Sequence, residues 1–251
     1  MTDNDFRFHP ITRVMFTLFF MSLTIIFSKV KLEPIFGTGS HFSLIVMFSP
    51  IIPKIVGTTY GSVAILGAKM IQFLVGISTP KSIISYLSYF PVLFGGIQFA
   101  RVFKGDRKVI IFSLTAILLF LVHPIGRSVW YFSLFWLIPI TITLSKSYLD
   151  RVIKRFEILK IYIYALSATF VDHAFGSIIY LYFLEIPSIY WNMAIPFVPF
   201  ERLIMALGIT VFYIFISKGI ELMERKTLAV LFISHREDLI LTQKAKNMKE
   251  S

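Results

Sequence analysis

The feature that most constrains this 251-residue sequence is a series of long blocks that are apolar on every helical face. Residues 109–122 read VIIFSLTAILLFLV, and residues 203–216 read LIMALGITVFYIFI. A helix of a soluble protein carries an apolar stripe instead, because its outer face meets water. Such blocks suit the hydrocarbon of a lipid bilayer. The pattern therefore predicts an all-α fold, a polytopic transmembrane helix bundle.

Composition and cysteine content exclude several other classes. Hydrophobic residues make up 56% of the chain and charged residues 16%, whereas soluble domains carry about 25% charged residues. The blocks lack the alternation of apolar and polar residues that transmembrane β-strands show. There are no cysteines, so disulfides, thiolate metal sites and cysteine nucleophiles are excluded.

The blocks predict six to eight membrane spans. A helix needs about 20 residues to cross a hydrocarbon core of about 30 Å. The candidate spans are 11–28, 41–56, 60–77, 82–100, 109–123, 128–146, 158–184 and 202–222. The second is short and contains Pro50 and Pro53, which predicts a kinked or re-entrant segment. We expect a bundle over residues 1–222, followed by a basic cytoplasmic tail over residues 223–251.

The distribution of basic residues predicts an orientation. The formal net charge is +11. With a cytoplasmic N-terminus, 19 Lys and Arg residues lie on the cytoplasmic side and five outside, which obeys the positive-inside rule. We therefore expect a multi-pass cell-membrane protein with both termini in the cytoplasm. The charge fits anionic lipid, and no nucleic-acid-binding motif accompanies it. Residues 146–160, with apolar and basic faces, predict an interfacial helix.

The seventh span carries polar residues where they are costly. An ionisable side chain at the bilayer centre costs about 2.5–3.5 kcal/mol on insertion scales, so it usually faces a cavity or a partner. Helical spacing aligns the polar positions of this span in one stripe. They are Thr169, Asp172, His173, Gly176, Ser177 and Tyr180. The stripe predicts a ligand pocket or ion path. A polar contact between helices is the alternative.

The third span also has two distinct faces. One face holds Lys69 and Gln72, and we hypothesise that Lys69 pairs with Asp172 across the bundle. The neighbouring face has small residues at every third or fourth position, a pattern that favours close helix packing. These small residues are Gly57, Gly61, Ala64 and Ala68.

The last outer loop, residues 185–202, completes the candidate ligand-binding set. It reads EIPSIYWNMAIPFVPFER and contributes Trp191, Asn192, Glu201 and Arg202. There are alternative explanations for these residues: aromatic side chains are typical of the membrane interface, and charged ones of the start of a helix. The zinc-protease HExxH pattern and the phosphate-binding P-loop are both absent. We therefore expect no catalytic residues, no metal site and no cofactor.

Two stretches resemble the substrate-binding S component of an energy-coupling factor (ECF) transporter. One covers residues 42–76, a proline-containing short span followed by a G-x-x-x-G turn into the next helix. The other is DHAFGSIIY, residues 172–180, followed by IPFVPFERLIMALG at residues 195–208. The resemblance covers about a quarter of the chain. It implies a small membrane protein, usually of six spans, that captures a vitamin, metal or related micronutrient at its outer face.

The resemblance also implies partners and binding residues. The S component docks on a membrane scaffold subunit driven by two cytoplasmic ATPases. Its outer loops and late helices bind ligand, which corresponds here to His173, Tyr180, Trp191 and Asn192. The leading hypothesis is a solute-binding subunit of a transport system that has no enzymatic activity. The alternatives are an intramembrane enzyme or proton-coupled carrier that uses Asp172 and His173, and a structural membrane protein.

Overall fold

A computed structural model describes residues 8–34, 41–78 and 83–247, with the backbone alone at 33, 34, 41 and 224–247. About 84% of the protein is helical, which confirms the all-α prediction. One small addition was not predicted. Strands β1 (Lys31–Pro34) and β2 (His41–Ser43) pair antiparallel, with Lys31 opposite Ser43.

The helices run in order through two compact units, Met1–Phe212 and Tyr213–Ser251. The α-helices are α1 (Pro10–Phe27), α2 (Ile45–Phe48), α3 (Ile52–Val56), α4 (Thr58–Leu74), α5 (Ile83–Leu87), α6 (Phe90–Phe103), α7 (Ile110–Val122), α8 (Pro124–Ser128), α9 (Leu137–Leu144), α10 (Lys146–Val152), α11 (Glu157–Leu184), α12 (Ser188–Ala194) and α13 (Phe197–Asn247). Three 3-10 helices cover Ser49–Ile51, Arg107–Val109 and Trp130–Trp136. Arg7, Lys81 and residues 248–251 of the predicted tail lie outside the described residues.

The number of spans is smaller than predicted. Within the described ranges, four helical segments are long and apolar enough to cross a membrane. They are Pro10–Phe27, Ile83–Phe103, Glu157–Leu184 and Phe197–Met223. A fifth would be Trp130–Leu144 joined to Lys146–Val152, which meet at a bend of 67°. The predicted spans 60–77 and 109–123 form α4 and α7, which have 17 and 13 residues. At about 1.5 Å per residue, neither reaches 30 Å.

The proline-containing second segment is short and broken, as predicted. Helices α2 and α3 flank the 3-10 turn that contains Pro50, and Pro53 lies in the first turn of α3. Proline lacks the N–H that would continue the helical hydrogen bonds, so the segment changes helix type here. Gly57 then separates α3 from α4 with φ +94°, a conformation that favours glycine.

Two other segments are not the continuous helices that the sequence predicted. The predicted span 128–146 is not one helix, because Trp130–Trp136 is a 3-10 helix and α9 follows it. The predicted interfacial helix 146–160 ends early, since α10 stops at Val152 and residues 157–160 already belong to α11. Residues 153–156 separate the two helices, so the basic residues of this stretch are divided between α10, the connection and the start of α11.

The small-residue face of α4 is buried, which confirms close packing there. Ala64 and Ala68 are fully buried, and α4 packs against α1 and α3. A Cβ added to Gly61 would lie 2.5 Å from the Cα atom of Pro53. Only glycine therefore permits this approach of α3 to α4. Gly57 has a different role, since it breaks the helix.

Helices α6 and α11 form the most extensive helix pair and carry the centre of the bundle. They approach closely at Gly95, where an added Cβ would lie 2.9 Å from the carbonyl oxygen of Ala168 and 3.1 Å from Cβ of Asp172. One turn away, the Gln98 amide donates to hydroxyls of Thr143 (3.0 Å) and Ser167 (2.7 Å). These contacts hold α11 in place and set the position of its polar stripe.

Candidate functional site

A cavity of about 370 Å³ lies at one end of the bundle, within the first unit. Its walls come from the ends of α1, α4 and α11, from the starts of α6 and α13, and from β2, α2 and α12. Nine of the eleven polar and loop residues selected from the sequence line it. They are Lys69, Gln72, Asp172, His173, Ser177, Tyr180, Trp191, Glu201 and Arg202. The volume falls near the lower end of the range for small-molecule sites, about 300–1,000 Å³.

The polar stripe of α11 faces this cavity over two turns. Asp172, His173, Gly176, Ser177 and Tyr180 all contribute to its wall. Spacings of one and three residues keep them on one side of the helix. The side chains of Ser177 and Tyr180 make no hydrogen bond within the described part of the chain. Their hydroxyls are therefore available to a bound molecule.

Thr169 and Asn192 do not line the cavity. The Thr169 hydroxyl lies 2.9 Å from the Leu166 carbonyl oxygen and 3.4 Å from that of Arg202. This hydroxyl therefore serves packing between α11 and α13. The Oδ1 atom of Asn192 accepts a hydrogen bond from the Tyr131 hydroxyl at 2.5 Å, at the exposed surface. The structure therefore places these two candidate residues outside the cavity lining.

Arg202 is the charged centre of one wall. Its side chain is 0% exposed and contacts two carboxylates, Asp172 at 3.5 Å and Glu201 at 3.4 Å. The guanidinium also lies over the ring of Phe42, 5.1 Å from its centroid. Burial of a charge requires such partners, because the interior cannot replace water around it. The α13 start therefore depends on α11 for its charge balance.

The hypothesised pair of Lys69 with Asp172 is wrong. Asp172 pairs with Arg202, and none of the described carboxylates lies within 4.0 Å of the Lys69 ammonium. Lys69 instead lies over two rings, 4.7 Å from the centroid of Phe73 and 5.0 Å from that of Tyr89. Aromatic faces attract a cation without neutralising its charge. Within the described part of the chain, Lys69 thus brings a positive charge without a counter-ion to the cavity.

Gln72 anchors the part of the wall next to Lys69. Its amide nitrogen donates to the Ser28 hydroxyl at 2.7 Å and lies 2.9 Å from the Tyr89 hydroxyl. The Tyr89 hydroxyl lies 3.1 Å from the Gln72 carbonyl oxygen and can donate to it. These bonds join the end of α1, the end of α4 and the start of α6. Gln72 is therefore largely committed to the protein.

His173 is oriented by a tryptophan. The indole N–H of Trp136 lies 3.2 Å from Nδ1 of His173. Indole can only donate, so Nδ1 accepts, and a neutral imidazole then carries its proton on Nε2. The structure gives Nε2 no partner among the described residues. His173 therefore presents a hydrogen-bond donor to the cavity.

Trp191 belongs to the apolar wall opposite these polar groups. Its indole N–H donates to the Ile186 carbonyl oxygen at 2.9 Å. Its ring packs edge-on against Phe120 and Phe132, at centroid distances of 5.3 and 4.9 Å. The ring is therefore fixed and its only donor is used. Trp191 offers aromatic surface instead of a hydrogen bond.

Several cavity-related residues were not selected from the sequence. Tyr89 and Phe132 line the cavity, and Trp136 orients His173 from behind. A signal for Trp136 was present, since a tryptophan at the middle of an apolar block lies away from the interfacial belt where such residues concentrate. Tyr89 had no comparable signal in the sequence.

The cavity thus combines buried charge, free donors and aromatic surface. In the described ranges, no three His, Asp or Glu side chains are placed to hold a metal ion. Comparison with protein-family models, curated proteins and solved structures finds no match for this chain. The chemistry of the site therefore has to be derived from the cavity itself.

Proposed function

We propose that this protein is the membrane-embedded solute-binding subunit of a transport system. It captures a small, vitamin-like molecule at the outer face and depends on partner ATPases for energy. The observation that carries this proposal is the cavity of about 370 Å³, where polar groups of His173, Ser177 and Tyr180 have no partner among the described residues. A purely structural bundle has no need for open donors beside a cavity, because unpaired buried polar groups cost free energy.

The location of the basic residues supports an outer-facing cavity. Salt bridges of basic residues lie at the C-terminal end of α6 and where α10 meets the start of α11. They join Arg101 to Asp106 (2.9 Å), and Lys146 and Lys160 to Asp150 (2.6 and 3.9 Å). The cavity is lined from the opposite ends of α6 and α11. The positive-inside rule then assigns the basic end to the cytoplasm and the cavity to the outer face.

Asp106 illustrates the character of that basic end. It accepts a hydrogen bond from the backbone N–H of Lys108 at 2.9 Å, and this bond, together with the Arg101 guanidinium, holds the pKa of the carboxyl below its ordinary value. Asp106 therefore stays ionised at neutral pH and fixes the turn between α6 and α7. It does not cancel the excess of positive charge there.

The resemblance to ECF S components supports the transport assignment. It concerns the same regions that build the cavity, the Pro50 segment with α4 and the stretch from Asp172 to the start of α13. Under this proposal a membrane scaffold subunit and two cytoplasmic ATPases complete the transporter. The test is mass spectrometry of small molecules retained by the detergent-purified protein, beside a pull-down for ATPase subunits. A protein with neither ligand nor ATPase partner would overturn the proposal.

The second candidate is a proton-coupled carrier or intramembrane enzyme that uses Asp172 and His173. Both side chains line the cavity, which is the observation in its favour. Each is held by a fixed partner, Arg202 for Asp172 and Trp136 for His173. Fixed partners favour binding over repeated proton transfer. A pH-dependent activity that disappears with His173→Gln would favour this candidate instead.

His173→Gln should lower the amount of retained solute roughly tenfold, because glutamine lacks the Nδ1 that accepts from Trp136, so the donor toward the cavity loses its fixed orientation. The measurement is the quantity of small molecule per mole of purified protein. His123→Gln is the matched control, since His123 does not line the cavity. Equal retention by His173→Gln and the wild type would show that the stripe serves only helix packing.

A further inference from the structure

We infer that the captured solute is an organic monocarboxylate with an aromatic or similarly planar apolar group, and that Lys69 binds its carboxylate. This inference rests on the proposed function and names the ligand class for the same cavity. It is carried by the charges, the hydrogen-bond donors and the rings that the structure brings to the cavity wall.

The charge balance of the wall favours an anion. Its cationic side chains are Lys29, Lys69 and Arg202, and its carboxylates are Asp172 and Glu201. With His173 neutral, the lining carries a formal charge of +1, which a monoanion would neutralise. Both carboxylates contact the Arg202 guanidinium, so this buried cluster carries a formal charge of −1, and Lys29 and Lys69 carry the two remaining positive charges. A ligand cation would find no carboxylate free of this pairing.

Of the two lining cations outside the Arg202 cluster, Lys69 is the one held inside the wall. Lys29 is at the surface and donates to the Ile77 carbonyl oxygen at 2.9 Å. Lys69 is half-buried, and its ammonium lies over the rings of Phe73 and Tyr89 with no carboxylate of the described residues within 4.0 Å. A half-buried ammonium without a counter-ion is costly, because the surrounding protein replaces only part of its hydration. A bound carboxylate would supply that counter-ion, and the released cost would contribute to affinity.

The uncharged polar groups favour the same ligand. His173 presents Nε2–H as a donor because Trp136 occupies Nδ1. The hydroxyls of Ser177 and Tyr180 can also donate and have no partner in the described part of the protein. Together with the Lys69 ammonium, these groups are a set of donors. Carboxylate oxygens accept several hydrogen bonds at once, so they satisfy such a set better than an amide or an amine does.

The rest of the wall is suited to a planar apolar group. The rings of Phe42, Phe132 and Trp191 line the cavity, and neighbouring aromatic side chains hold two of them in edge-on contacts. The indole N–H of Trp191 is already bonded to Ile186. Aromatic rings prefer offset or edge-on contacts with other rings, which a planar group in the cavity could make.

The test compares three probes that share one skeleton and differ in charge: 3-phenylpropionate, 3-phenylpropionamide and 3-phenylpropylamine. Binding to the detergent-purified protein is followed by tryptophan fluorescence and by the thermal midpoint. We expect the carboxylate to bind at least tenfold more tightly than the amide or the amine. Equal or tighter binding of either of those would overturn the ligand class.

Lys69→Gln should weaken 3-phenylpropionate binding at least tenfold and leave the weak binding of the amide unchanged. Lys69→Arg keeps the charge and should retain most of the affinity. This variant therefore distinguishes a loss of binding caused by the missing charge from one caused by misfolding. Lys154→Gln removes the same charge from an exposed position outside the cavity and should have no effect. Wild-type affinity of Lys69→Gln for the carboxylate would overturn the assignment of Lys69.

Failure of this inference differs from failure of the proposed function. If none of the three probes binds, the ligand class is wrong. The proposal that the protein captures a solute is tested separately, by comparing the small molecules retained by the wild type with those retained by His173→Gln. A retained solute that is neutral or cationic would leave the capture proposal standing and overturn the carboxylate.

Discussion

Replacement of Arg202 by Gln should destabilise the protein by about 3–5 kcal/mol, the cost of removing one partner from a buried ion pair. The Arg202 side chain is fully buried and contacts both Asp172 and Glu201. Without it, two carboxylates would face each other across a poorly solvated site. We expect a much lower yield of monodisperse protein in size-exclusion chromatography and a lower thermal midpoint.

A second substitution identifies the cause of that loss. Asp172→Asn removes one of the two carboxylates, so in the Arg202→Gln background it should restore part of the thermal midpoint. Substitutions within one charge network do not have additive effects on stability. A partial recovery is therefore the result expected if Arg202 and Asp172 interact. Arg151→Gln, at an exposed position, is the control for loss of an arginine. A fully stable Arg202→Gln protein, or strictly additive effects, would contradict the buried charge network.

Gly61→Ala should also destabilise the protein, by about 1–3 kcal/mol, the usual cost of overpacking. The added Cβ would lie 2.5 Å from Cα and 2.7 Å from N of Pro53, both backbone atoms. These atoms can move only if α3 shifts away from α4. Alanine gains about 1 kcal/mol of helix propensity over glycine, which offsets only part of this cost. The thermal midpoint of the purified variant measures the net effect.

Gly67→Ala is the matched control on the same helix. Its added Cβ would lie 2.7 Å from Cε of Met21, the end of a flexible side chain that can rotate away. We therefore expect Gly67→Ala to be neutral or slightly stabilising. Equal loss in both variants would show that helix α4 does not require the close approach at Pro53.

The sequence predicted those residues of the candidate site whose positions depend on helical periodicity alone. Asp172, His173, Ser177 and Tyr180 share a face because one helix holds them all, and this is independent of the neighbouring helices. Lys69 and Gln72 were found in the same way, from polar residues inside an apolar block. The cost of polar groups in lipid makes such positions informative.

The partners of these residues could not be read in the same way. Charge alone favours a pairing of Lys69 with Asp172, yet the structure pairs Asp172 with Arg202. The choice depends on how α13 begins beside α11, which is a long-range contact. The bond from Trp136 to His173 likewise spans 37 residues and depends on the 3-10 helix that ends at Trp136. Hydropathy contains no information on either.

The sequence by itself determined that the protein is an all-α bundle with helices apolar enough for a membrane, because the choice of solvent follows from composition and block length. It also determined the stripe on α11 and the break at Pro50 and Pro53, because both are local. Only the tertiary structure decided where the helices end. Among the described residues, it leaves four or five helical segments that are long and apolar enough to cross a membrane. It alone brought Lys69, Asp172, His173 and Arg202 to one cavity, because the packing of distant helices depends on shape complementarity and not on hydrophobicity.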